Sequence, residues 1–348
     1  MDAAEAVIED VRVVRLADSV TVPFQDGDSR HAVIVEAAGI TGSFGPVDEL
    51  PAALVAAGLG SRAVGLRVAD HDGLVARLLA RLGQHGAGLG RWAMGAVDCA
   101  VWDLHGKLTG LPVAALLAEA PAAQVPVYGS WLSLDLEDRQ AADAVRRTAD
   151  QGFAFTKWAL RRGKSLARMA EVAGFAAFWA QAPVAVDALG TWDLDAAAET
   201  ARLLAPGSVR WVEDPLPRTE RAAYSELRAK SALPVAFGER LSDADSAQEL
   251  LDLDPAAFTF DVVWCGGITE ARTWMMLAEQ AGVPVHLHGR AFLPALHVAA
   301  AFPEVAGPVE YQLVWEPRRQ HALTGTVLLV GGRAALPDRP GLGLEVRC

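Results

Sequence analysis

PVAVDALG (Pro183–Gly190), VRWVEDP (Val209–Pro215) and PVAFGE (Pro234–Glu239) are three short β-rich runs, each carrying an acid at or near its end: Asp187, Glu213 and Glu239. The acids are spaced evenly, 213 − 187 = 26 and 239 − 213 = 26. One strand of roughly 5 to 6 residues, one helix of roughly 11 to 12 and two turns fill such an interval. The spacing therefore predicts three consecutive strands that end on the same side of a sheet. Working outward, the same texture recurs in VPVYGSW near 128, FAFTKWAL near 157, AFTFDVV near 261, VPVHLHG near 288 and GPVEYQL near 310, with Ala- and Leu-rich helical stretches between. Eight such runs point to an α/β chain with a parallel sheet and helical crossovers, closed into an eight-stranded barrel whose chemistry lies at the C-terminal ends of its strands.

Upstream, residues 1–120 have another pattern. EDVRVVRLADSVTV and HAVIVEAAGITG alternate as strands, and the segment then turns helical through GRWAMGAVDCAVWDLHGKLTG, with Gly110 and Pro112 as stop signals. This predicts a small α+β unit. The 348 residues, 52% hydrophobic and 21% charged, suffice for a large core. A net charge of −12 with scattered Arg pairs argues against a nucleic-acid partner. The acidic start MDAAEAVIED lacks a signal peptide's basic region, and no apolar run reaches the roughly 20 residues of a membrane span, so a cytoplasmic protein without a membrane partner is expected. Cys99, Cys265 and Cys348 are odd in number and far apart, which suits a reducing compartment and gives no disulfide or metal signal.

An acid after a strand is commonly a helix N-cap, but three in a row at one spacing are not explained by capping alone. Strand alternation puts them in phase with inner residues such as Val209 and Trp211, or Val235 and Phe237. Three converging carboxylates repel unless a cation lies among them, and oxygen-only ligands favour Mg²⁺, with Mn²⁺ as a substitute. Asp261 and His288 follow on the sixth and seventh runs, where the acid can orient the imidazole as a general base and, once protonated, a general acid. His286 and His288 also form an HxH pair of the kind that binds metal in barrel hydrolases, there on the first strand. Alternation puts Phe153, Phe155, Lys157 and Ala159 on one face and Trp158 on the other, so a lysine points inward.

GAVDCAVWDLHGK, VAVDALGTWDLDAA, RWVEDPLP, PVAFGER, FDVVWCGGITEA, AGVPVHLHG and PDRPGLGLEV resemble, in order and spacing, the mandelate racemase subgroup of the enolase superfamily, the mandelate racemase/muconate lactonizing enzyme-like proteins. The resemblance implies a modified (β/α)7β TIM-type barrel over residues 121–310, an N-terminal α+β capping domain over 1–120, and a segment, 311–348, returning to the cap. It implies Asp187, Glu213 and Glu239 as metal ligands, a His288–Asp261 dyad, and Glu310 as the eighth-strand carboxylate, able when protonated to donate to a substrate carboxylate; a surface or capping role is the alternative. It also implies a homo-oligomer and a small-molecule carboxylate substrate. Relatives carry a KxK pair where this chain has Lys157 and Ala159, so one of two acid–base groups is missing. That weakens a racemase or epimerase reading and favours dehydration of an acid sugar to a 2-keto-3-deoxy acid by His288 alone, with Lys157 as an electrostatic partner or itself the base. A non-catalytic barrel that binds a carboxylate is the other alternative. Two further departures are Asp187-Ala188-Leu189 where relatives read Asp-x-Asn, and GITGSFGP (39–46) where they commonly have a Gly-x-Gly-Glu turn. The segment SVTVPFQDGDSRH, where relatives set specificity, is short.

Overall fold

The computed structural model describes residues 5–16, 22–24, 27–134, 141–162, 165–204, 207–217, 221–239, 241 and 244–347. Cys348 and residues 19–21 and 25–26 of the segment SVTVPFQDGDSRH lie outside the described residues.

The first unit is an antiparallel sheet of β1 (Asp10–Arg15), β2 (Val22–Phe24), β3 (Gly27–Ala37) and β4 (Ile40–Asp48), with β3 paired to the other three. The run HAVIVEAAGITG is not one strand. Ala38 and Gly39, with φ of 52° and 72°, turn the chain between β3 and β4, a backbone that glycine adopts without steric cost. Helices α1 (Glu49–Leu54), α2 (His71–Leu82), α3 (Leu89–Thr109) and α4 (Val113–Leu117) follow.

The second unit alternates β5 (Gln124–Trp131), α5 (Ala141–Ala149), β6 (Thr156–Ala159), α6 (Leu166–Ala180), β7 (Val184–Asp187), α7 (Leu194–Leu203), β8 (Val209–Glu213), α8 (Arg221–Lys230), β9 (Val235–Phe237), α9 (Ala244–Leu251), β10 (Ala257–Phe258) and α10 (Ile268–Ala281). It ends with α11 (Phe292–Ala301) and β11 (Val309–Gln312), which returns to pair in parallel with β5. The seventh predicted strand, VPVHLHG, is too irregular to form a ladder. Its backbone nonetheless bonds both neighbours: His286 and His288 donate to Phe258 and Phe260, while Gly307 and Glu310 donate to Val285 and Leu287. The ring of eight runs closes through it, giving the (β/α)7β architecture expected.

Alternation holds where the strands are regular. Phe155 joins Tyr128, Ala185, Trp211 and Ala236 inside the barrel, and Trp158 packs outward with Val145, Met169, Val186 and Val212 against the helices. It fails at three of the positions used to phase the acids, Val209, Val235 and Phe237, which pack on the outer layer. Val184 pairs with Val209 and Ala185 with Trp211, so Arg210 is an extra residue, and the bulge leaves Val209 on the outer layer while Trp211 and Glu213 face in. Phe237 also packs outward, and Gly238, at φ 134°, resets the chain so that Glu239 joins the acids. A Cβ at Gly238 would lie 2.7 Å from the Phe258 ring.

α3 joins the two units, which explains the acids of GAVDCAVWDLHGK. Asp98 accepts from the Thr269 N–H and hydroxyl at 3.0 and 2.6 Å, so a side chain of the cap satisfies the start of α10. Asp103 accepts from Ser43 N of β4 and Leu342 N of the C-terminal tail, both at 2.8 Å, and pairs with Lys107 at 2.7 Å. The tail reaches the cap there, and through Lys107 to Glu345 at 2.8 Å. It also does something the sequence did not suggest: after α12 (Glu316–Gln320), β12 (Leu329–Val330) and β13 (Arg333–Ala335) form a hairpin whose second strand pairs antiparallel with the start of β5.

His297 on α11 is buried among these parts, accepting from Ala114 N at Nδ1 and facing Leu342 O with Nε2, both at 3.2 Å. That pattern needs the neutral ring, and burial lowers its pKa from 6.5 to about 4. Because the folded value is depressed, its contribution is whole above the unfolded value and is lost as pH falls from there toward 4. Wild type should lose stability relative to His297→Gln by about 1.4 kcal/mol per pH unit in that window. Urea midpoints at pH 7 and pH 5 check this; a difference that does not change with pH contradicts it. No helix among the described residues is long and apolar enough to cross a membrane.

Candidate active site at the mouth of the barrel

Asp187 and Glu213 end β7 and β8, and Glu239 follows β9. One carboxylate oxygen from each lies within 4.8 Å of the others, and all three residues are buried. Asp187 Oδ1 accepts from Leu189 N at 2.8 Å, while Asp187 Oδ2 and Glu213 Oε1 are buried with no hydrogen-bond partner. Burial first, then mutual repulsion, pushes the Asp187 carboxyl well above its usual range. Burial likewise raises Glu213, against the pull of Lys157. Orphaned oxygens on converging acids are what a hard divalent cation satisfies, and a set without nitrogen or sulfur matches Mg²⁺.

Lys157 on β6 is fully buried. Its Nζ lies 2.8 Å from Glu213 Oε2, 3.2 Å from Glu310 Oε1 and 3.9 Å from Asp187 Oδ2, above the Tyr128 ring. Burial alone would lower its pKa, but Glu213 and then Glu310 outweigh it and hold the ammonium well above 10.5. Beside it, Ala159 pairs with Asp187 across β6 and β7, so the position of a second lysine holds only a methyl group.

His288 Nδ1 lies 2.9 Å from Asp261 Oδ2. Both Asp261 oxygens already accept backbone N–H groups, from Val263 and Trp264 on one side and Ala291 on the other, so the imidazole supplies the hydrogen. Its Nε2 lies 3.9 Å from Glu239, 3.6 Å from Glu310 and 3.1 Å from the Gln312 amide nitrogen, and the ring stacks on Trp264 at 5.0 Å. Burial would lower the His288 pKa, but Glu239, Glu310 and Asp261 raise it to about 9. Glu310 is the reverse case: burial would raise it, yet Lys157 and His288 hold it at about 2. The resting site thus keeps Glu310 as a carboxylate, not as the acid a donor role requires.

The structure brings all seven predicted residues into one site. His286 stands apart, in the inner layer beside Trp211 at 4.9 Å and bonded to Pro308 O at 3.0 Å, with its pKa lowered by burial to about 4. An HxH metal pair has no support there. Sequence reasoning missed Gln312, Trp264 and Arg319. Gln312 was within reach, since it stands two residues after Glu310 on the same strand face.

The departure at Leu189 has a local cost. Its φ of 55° is left-handed, a conformation asparagine adopts more easily than leucine. Leu189→Asn should therefore raise stability by about 0.5–1 kcal/mol while keeping the N–H bond to Asp187. Urea denaturation checks this, and a less stable variant contradicts it.

Residues 17–118 match the mandelate racemase/muconate lactonizing enzyme N-terminal domain, and residues 140–347, more than half the chain, match the enolase C-terminal domain-like family. The chain belongs to the mandelate racemase/muconate lactonizing enzyme family of the enolase superfamily. Within this family it is 28% identical over 272 residues to muconate cycloisomerase 1 of Rhodococcus opacus, covering 74% of this chain and 70% of that one. An L-talarate dehydratase from Polaromonas sp. JS666, solved with Mg and L-glucarate, superposes with a TM-score of 0.83 at 26% identity, covering 98% of this chain and 95% of the other. A racemase from Streptomyces coelicolor A3(2) with bound magnesium shares the fold at a TM-score of 0.84 and 23% identity, covering 98% of both chains. Magnesium is the cofactor this superfamily site takes, and the chemistry common to the superfamily is Mg²⁺-dependent abstraction of a proton.

Proposed function

We propose that this enzyme is a hydro-lyase that dehydrates an acid sugar, an aldonate or aldarate, to a 2-keto-3-deoxy acid. The observation that carries the reading is the asymmetry of the acid–base groups: one complete dyad, His288–Asp261, and on β6 only the methyl group of Ala159, paired with Asp187, where relatives carry a second lysine.

The proposed roles divide as follows. Asp187, Glu213 and Glu239 hold Mg²⁺, which supplies positive charge for the second negative charge that develops on the substrate carboxylate. The Lys157 ammonium, held by Glu213 and Glu310, adds a positive charge on that side. His288 takes the α-proton at Nε2 while Asp261 holds Nδ1–H and stabilises the imidazolium. Glu239's field on His288 is offset once that side chain holds a cation, which favours the neutral ring a base needs. The same proton then passes to the β-hydroxyl, the C–O bond breaks, water leaves, and the remaining enol becomes the 2-keto acid. Glu310 holds Lys157 and accepts from Gly289 N at 3.0 Å, which fixes the backbone next to His288.

An epimerase needs a second acid–base group on the opposite face, and Ala159 offers none. The test is turnover of a panel of aldonic and aldaric acids, L-glucarate among them, to 2-keto product with Mg²⁺ and with EDTA. Product that requires Mg²⁺ is expected. Exchange of the α-proton without loss of water would move the assignment to an epimerase, and no exchange on any carboxylate would favour a binding protein.

A further inference from the structure

We propose that Gln312 is a specificity residue that recognises the β-hydroxyl of the acid, through an amide whose orientation Arg319 fixes. Arg319 is buried, paired with Glu316 at 2.8 Å, and its Nη2 donates to the Gly289 carbonyl at 2.9 Å and to Gln312 Oε1 at 2.8 Å. A guanidinium can only donate, so it settles which end of the amide is oxygen. The NH₂ end is thereby turned to the mouth, 3.1 Å from His288 Nε2. Gln320 bonds Glu316 at 3.0 Å and accepts from Val327 N at 2.9 Å, which braces Glu316 and so Arg319 against turning.

The consequence is geometric. A substrate atom that takes a proton from His288 Nε2 must come within reach of the Gln312 NH₂ as well, and that group, which only donates, needs an acceptor atom as its partner. A hydroxyl oxygen on the β-carbon satisfies it; a β-methylene displaces the His288 contact and leaves that half-buried donor unpaired. The same donor favours C–O cleavage, because it bonds the departing oxygen as that atom gains negative charge. The inference rests on the dehydratase reading for the class of acid, but its test does not need turnover.

The test uses Mg²⁺-loaded protein, tartrate against malate and gluconate against 3-deoxygluconate, with binding read from tryptophan fluorescence in a stopped flow before turnover; Trp264, stacked on His288, is the reporter. Wild type is expected to prefer the β-hydroxy acid of at least one pair by about 10- to 100-fold, the cost of one donor left unpaired beneath the bound acid. Gln312→Leu should bring the ratio close to one. Gln312→Glu keeps the size and the bond to Arg319 but has no N–H, and should lose the preference too. Both variants should keep the Mg²⁺-induced rise in melting temperature. A folded variant with the wild-type ratio, or a wild type that binds none of these acids or both members of each pair alike, overturns the assignment. Strong preference for the β-hydroxy acids without any 2-keto product would sink the dehydratase reading and leave this one standing.

Discussion

His288→Asn should lower kcat for 2-keto acid formation by about 10³-fold, the middle of the range for removing a positioned general base. Asparagine can still donate to Asp261, so the loop after the seventh run keeps its anchor and the loss is chemical. Exchange of the substrate α-proton with solvent deuterium should fall by the same factor, because both need Nε2 as proton acceptor. Mg²⁺ affinity, measured calorimetrically, should change little, since His288 is not among the three clustered acids. If the variant keeps more than about a tenth of the wild-type exchange rate, far above what loss of a general base allows, another group is the base.

Lys157→Met should do damage of another kind. The ammonium lies among Asp187, Glu213 and Glu310, at 3.9, 2.8 and 3.2 Å. Removing one partner of a buried ionic network costs about 3–5 kcal/mol, because the remaining charges stay buried and uncompensated. Urea denaturation of the EDTA-treated variant should show that loss. Saturating Mg²⁺ should return part of it, about 2.7 kcal/mol at a hundred times Kd. Activity should fall because the developing charge loses a fixed counter-charge, while residual α-proton exchange still depends on His288. Were exchange abolished in Lys157→Met and kept in His288→Asn, the roles of the two would be reversed.

The path from residues to site was clear where spacing and alternation apply. Repeated 26-residue intervals located the acids, and a lysine in phase with Phe155 pointed into the barrel. The bulge at Arg210 and the turn at Gly238 were not visible, since one inserted residue or one positive φ reverses every side chain after it without altering composition. The acids converge all the same, because Trp211 lies beyond the bulge and Glu239 beyond the glycine. The seventh run gave no warning of its irregularity, and the β12–β13 hairpin under the barrel was hidden because two- and three-residue strands leave no periodic signal. The Gln312–Arg319 contact depends on a helical turn that folds back over the eighth run, so it is tertiary information.

The central claim is that one divalent ion sits among Asp187, Glu213 and Glu239. Anomalous diffraction from crystals soaked in Mn²⁺ tests it most directly. A single peak bonded to an oxygen of each of the three side chains, replaced in Mg²⁺-grown crystals by an ion at about 2.1 Å from those oxygens, is the expected result. A peak at His286 and His288 instead, or no peak among the three acids, would contradict it.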